Sequence, residues 1–216
     1  TDANIDTTGQ RNLTITGELD AATLDISGNA DIDGTLNTDG LTNAGNFSTD
    51  GGTIKLDGNY PTGTCNVALG DNALGSGSLS GDFNTAVGTN ALLANTSADA
   101  NTAIGRSALC SNTTGDCNTG LGMNALLGNT EGFGNVAVGR SSMVANTTGD
   151  SNVAVGQNSL VSNTTANNNT AVGTCSLASN TTGASNVALG HDALKLNTTG
   201  AQNTAVGMDA LRDTTT

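Results

Sequence analysis

The sequence predicts an all-β protein: a parallel β-solenoid, or β-roll, of nine 17-residue coils, preceded by a narrower β region of shorter repeats. Three observations carry that expectation. A phrase of Asn, Thr or Val, Ala, an aliphatic residue and Gly restarts at Asn66, Asn84, Asn101, Asn118, Asn135, Asn152, Asn169, Asn186 and Asn203. The first interval is 18 residues and every later one is 17. Two aliphatic columns keep the same phase, and a glycine follows the first of them in all nine phrases.

Counting each coil from its opening Asn, position 4 is Leu69, Val87, Ile104, Leu121, Val138, Val155, Val172, Leu189 and Val206. Position 9 is Leu74, Leu92, Leu109, Leu126, Met143, Leu160, Leu177, Leu194 and Leu211. Two such columns separated by a glycine suggest two short strands per coil, folded face to face, with both columns forming the core. Glycine at position 5 gives the corner a freedom that a side chain would obstruct. The Asn-Thr-Thr-Gly stretch at positions 12 to 15 is turn chemistry, because Asn bonds its own downstream backbone and Gly accepts positive φ. Helix is the rival for Asn-Ala-Leu-Leu, but recurring Gly and two Asn-rich breaks per coil leave it no length. Asn at positions 1 and 12 should stack into amide ladders along the axis. Position 3 is Ala in every coil but one, where Gly120 stands. A column kept that small implies close approach by another layer, from the same coil or from a second chain.

Composition agrees with a thin core. The 216 residues include 30 Gly, one Pro, no Trp, one Tyr and three Phe, whereas a compact core of this length uses aromatic side chains to fill irregular volume. Disordered chains lack periodic aliphatic positions. The net charge of −13, from 19 acidic and six basic residues, disfavours nucleic-acid partners, which need clustered Lys and Arg. It also disfavours anionic membrane surfaces. No apolar run approaches the roughly 20 residues of a membrane span, and the chain opens on Thr1 with no recognisable targeting segment.

Upstream of the coils, Leu13/Ile15, Leu24/Ile26 and Ile54/Leu56 alternate with polar residues between Gly-Asn and Asp-Gly turns, a pattern of short strands. The expected division is an arm at 1–10, a short-repeat β shaft at 11–58, a linker at 59–65 around the only proline, and the solenoid at 66–216. The arm, or the strand Asn12–Thr16, is a candidate to dock on a neighbour's open edge by strand addition.

The phrases Asn84-Thr85-Ala86-Val87-Gly88 and Asn101-Thr102-Ala103-Ile104-Gly105 resemble the coils of YadA-like trimeric autotransporter heads, and equally the repeats of bacteriophage tail fibres. The stretch from Leu24 to Leu36 also looks like a phage fibre shaft. The resemblance covers roughly residues 13–216 and speaks for architecture more than biology. It implies an extracellular or virion-surface structural protein, and the homotrimer comes from the resemblance alone. The period of 17 is longer than in the usual adhesin head, with the extra residues in the Asn-Thr-Thr-Gly turn.

Chemistry is sparse. One histidine, His191, cannot build a nucleophilic triad, and it occupies variable position 6, where other coils carry Asp71, Thr89, Arg106, Met123, Arg140, Gln157, Thr174 and Met208. Neither catalytic nor cofactor-binding residues are expected, nor a metal site of the usual zinc spacing. Asp31-Ile32-Asp33-Gly34 is either a Ca2+ site or a solvated turn. Cys110 and Cys117 bracket one turn and are expected to form a disulfide, with two small buried thiols as the alternative. Asn-x-Ser/Thr sequons at position 12 (Asn95, Asn112, Asn146, Asn163, Asn180 and Asn197) describe either a row of glycans or an unmodified turn.

The expected function is therefore non-enzymatic: a structural fibre or filament outside the cell or on a virion. Its partner is the chain itself, in a head-to-tail filament or a homotrimer, with a cell-surface receptor or glycan as a further partner. A receptor-binding adhesin or tail-fibre shaft is the alternative. A carbohydrate-processing β-helix is the remote one, for which acidic pairs such as Asp20/Asp25 lack an opposing face and a sugar-sized cleft.

Overall fold

In a computed structural model the chain divides into two units, Thr1–Gly51 and Gly52–Thr216. The structure describes residues 65–216, so the expected arm, shaft and calcium turn lie outside the described residues. These residues form a parallel β-solenoid. Nine three-residue strands, β1 (Val67–Leu69), β2 (Thr85–Val87), β3 (Thr102–Ile104), β4 (Thr119–Leu121), β5 (Val136–Val138), β6 (Val153–Val155), β7 (Thr170–Val172), β8 (Val187–Leu189) and β9 (Thr204–Val206), make one sheet in sequence order. Every neighbouring pair is parallel and in register, so Thr85 pairs with Thr102 and Val138 with Val155. The longer first interval leaves this register intact, with Val67 opposite Thr85. At the spacing of parallel strands the sheet runs on the order of 40 Å along the axis.

Each coil has one strand, not two. The second expected strand is a turn in which positions 7 and 9 carry positive φ, as in Asn90 (56–60° among its Asn equivalents) and Leu92 (49°). A left-handed Leu costs about 1–2 kcal/mol. Full burial of its side chain recovers about 1.5–3 kcal/mol, and its amide reaches the next coil, as in Leu92 N to Ala108 O at 3.0 Å. Leu74, Leu92, Leu109, Leu126, Met143, Leu160, Leu177 and Leu194 are all wholly inaccessible. They are the core column.

The other half of the core is position 3. Ala86, Ala103, Ala137, Ala154, Ala171 and Ala188 have no exposed surface. The exception explains the rule: a Cβ at Gly120 would stand 3.4 Å from Leu109 Cγ. The Leu of the preceding coil thus already fills this space, and only a residue as small as Ala fits. The close layer belongs to the same chain.

Position 5 is glycine for a backbone reason. Its φ lies between 123° and 136° in all nine coils, a region that side chains disfavour. A Cβ at Gly156 would come within 2.5 Å of Gly173 O in the next coil.

Candidate interaction surface

The strand is short, and the direction of its side chains decides what the surface offers. Successive strand residues point to opposite faces. With position 3 inside, positions 2 and 4 point out. The expected core residues Val87, Ile104, Leu121, Val138, Val155 and Val172 are therefore surface residues. Ile104 is 38% exposed, Leu121 42% and Val172 37%, and Leu69 and Leu189 in the same column are 46% and 37%. The correction follows from size: the interior beside the position 9 leucines admits a methyl group and nothing larger.

The result is a flat, outward-facing sheet lined by Thr or Val at position 2 and Val, Leu or Ile at position 4. None of the 18 side chains at these positions is charged, in a chain of net charge −13. At about 4.8 Å per strand and about 10 Å across, the face measures on the order of 400 Å². That is the size of the largest apolar patch on an ordinary monomer, which is often a functional surface.

Two columns border it. Position 6 follows the strand by two residues and holds Arg106, Met123, Arg140 and Gln157 on successive coils. Position 16 of each coil precedes the next coil's strand by three, so the strands β3 to β6 are bordered on that side by Asp99, Asp116, Phe133 and Asp150. Arg106 Nη2 lies 3.4 Å from Met123 Sδ, and among the described residues neither Arg106 nor Arg140 has an ion-pair partner. Asp116 and Asp150 each accept a backbone N–H through Oδ1, from Asp99 at 2.8 Å and Phe133 at 3.0 Å.

The interior holds the amide ladders. At position 1, Asn135 N donates to Asn118 Oδ1 at 2.9 Å while Asn135 Nδ2 reaches Gly149 O at 2.7 Å. At position 12, Asn146 Nδ2 bonds Asn129 Oδ1 at 2.7 Å in the neighbouring coil and Gly149 O at 2.9 Å in its own turn. From Asn84 to Asn197 both columns are inaccessible to solvent. The glycan alternative for Asn95, Asn112, Asn146, Asn163, Asn180 and Asn197 is thereby corrected, because each Nδ2 that would carry a sugar is a buried donor. Asn129, where Glu131 breaks the sequon, sits in the same ladder through a 2.8 Å bond to Asn112.

The expected Cys110–Cys117 disulfide is corrected as well, since both are free thiols. The turn between them is clamped instead by Asn112 Nδ2 on Gly115 O at 2.9 Å. Cys110 is half-buried, and burial pushes its thiol pKa up; Cys117 is exposed.

His191, Asp192 and Asp209 gather near the end of the stack. Asp192 Oδ2 takes Lys195 Nζ at 2.9 Å and Arg212 Nε at 3.6 Å. The Lys195 hydrogen bond, ahead of the nearby positive charges, holds the Asp192 pKa below its ordinary 3.8. Two cations already answer the two carboxylates, so this is an ion-pair knot. Asp192 stands at position 7, where seven coils have Asn, Ser or Cys and only the last two have Asp.

No helix among the described residues is long and apolar enough to cross a membrane. Comparison with known proteins adds no relative to these geometric findings: no family model, curated protein or solved structure matches the chain.

Proposed function

We propose that this chain is a non-enzymatic structural protein of an extracellular or virion-surface fibre, and that its solenoid associates side by side with further copies through the outward sheet face. The carrying observation is that face: 18 uncharged positions, thirteen of them aliphatic, on the outer side along the whole sheet. Exposed aliphatic residues scattered singly are ordinary, whereas a continuous column of nine is a contact surface. A second copy suits it because it carries the same flat face at the same axial spacing. The YadA-like and tail-fibre repeats that the sequence resembles belong to proteins of this structural kind.

Sedimentation of the purified protein tests the reading. Leu121→Asp with Val138→Asp should leave the circular dichroism of the solenoid unchanged and convert the associated species to monomer. A wild-type protein that is monomeric at tens of micromolar, or a double variant that still associates, overturns it.

A further inference from the structure

The ion pairs joining the eighth and ninth coils leave one oxygen unanswered. Asp192 is the one buried acid among the described residues, with 9% of its side chain exposed. Lys195 Nζ and Arg212 Nε both meet it at Oδ2. Its Oδ1 is closed off from solvent and takes no hydrogen bond. His191 Nδ1 stands 3.7 Å from that oxygen, beyond hydrogen-bond range. A buried carboxylate oxygen left without a partner is costly, so its orientation toward His191 calls for a third group between them.

The residues around it supply one. Ligand atoms of His191, Asp192 and Asp209 all lie within 4.8 Å of one another. Tetrahedral coordination with bonds of about 2.0–2.2 Å sets neighbouring ligand atoms about 3.4 Å apart. The His191–Asp192 separation is already close to that. His191 and Asp209 are exposed and free to turn inward, whereas Asp192 is held by its 2.9 Å bond from Lys195. Two departures from the repeat meet at this corner. His191 is the only histidine of the chain, and position 7 is Asp in the eighth and ninth coils alone.

We infer that His191 Nδ1, Asp192 Oδ1 and a carboxylate oxygen of Asp209 bind one divalent transition-metal ion of the zinc class. An imidazole among the ligands selects that class, because Ca2+ and Mg2+ favour oxygen throughout. Three protein ligands leave the fourth position to water. Lys195, on the other oxygen of Asp192, is the outer partner that orients the ligating carboxylate. The usual zinc spacing is missing from the sequence because the third ligand comes from the next coil, 17 residues after Asp192. The ion clamps the eighth coil to the ninth, whose Leu211 is half exposed while the other position 9 side chains are inaccessible. The site stands apart from the sheet face and does not depend on association through it.

Calorimetric titration of the full chain with Zn2+ tests the inference, together with thermal denaturation at the same metal concentration. The wild-type chain should bind an ion here and melt at a higher temperature with it, since the unfolded chain does not hold the three ligands together. Asp192→Asn, Asp209→Asn and His191→Gln should each weaken this binding at least tenfold and lose the shift in Tm. Asn72, Asn90, Asn124 and Asn158 already occupy position 7, and Gln157 occupies position 6, so the three variants keep the fold. Zinc held by the free thiols of Cys65, Cys110, Cys117 or Cys175 would persist in all three. Binding that survives any one of the variants unchanged, or no uptake by the wild-type chain at millimolar Zn2+, overturns the site.

Discussion

The inside and the outside of this solenoid have exchanged the usual residues. Two columns of Asn lie in the interior without solvent contact, while a column of Val, Leu and Ile faces out. In a globular core a buried amide is costly because partners are hard to arrange. Here the Asn of the middle coils find partners one coil away, in the same geometry from coil to coil. Stacking makes the amide cheap to bury. It does nothing for an aliphatic side chain on the outer face, which stays exposed until another surface covers it. The interior columns thus serve folding, and the exterior column is the surface on which the proposed association rests.

That contrast can be broken from the inside first. Gly156→Ala forces a Cβ to within 2.5 Å of Gly173 O at a φ of +133°, and should cost about 3–5 kcal/mol or prevent folding, among the largest effects of single changes. Leu160→Ala empties part of the core column, and about 2–5 kcal/mol should be lost in chemical denaturation. Asn146→Ala orphans Asn129 Oδ1, and it takes one of two partners from Gly149 O and from Asn163 Nδ2. At about 1–3 kcal/mol for a buried group left unpaired, its midpoint should fall nearly as far as that of Leu160→Ala. Were Asn146→Ala to behave as a surface change, the amide ladders would not be structural.

The outside should respond differently. Val155→Ser and Gln157→Ala should each change the stability of the isolated chain by no more than about 0.5 kcal/mol, as surface substitutions do. Val155→Ser alone should weaken association. Equal thermal shifts for Val155→Ser and Leu160→Ala would erase the distinction between the columns.

The smallest effect concerns acid. The folded-state pKa of Asp192 lies below its ordinary 3.8, so its contribution is complete above the ordinary carboxylate range and lost as pH falls through the lowered value. Lys195 and Arg212 are partly exposed, which keeps the contribution to no more than about 1 kcal/mol. Asp192→Asn should flatten the stability profile below about pH 4 by that amount; an unchanged profile removes the ion pair from the account.

Much of this was legible in the residues, and the failures have specific causes. The period, the parallel stacking, the position 9 core and the two Asn ladders follow from spacing and turn chemistry. The facing of the strand did not, because three residues contain a single alternation and either parity fits Thr-Ala-Val. The size of position 3 was the available signal: a column of Ala beside a column of Val marks the tighter side. The false second strand came from Leu, a residue that rarely takes a left-handed backbone; only inter-coil hydrogen bonding shows that it does so here. Sequons and neighbouring cysteines are local patterns, and burial by the next coil is not local. Asn129 offered the hint, since its Asn persists where the sequon is broken.

The unbroken register has a genetic consequence. Each strand pairs only with the strands of the coils before and after it. A duplication or loss of 17 codons would insert or remove one coil without turning any column to a different face. Length could then change in steps of about 4.8 Å while the outward sheet face kept its composition. Such a gene can drift in the number of its repeats and still encode a working ruler.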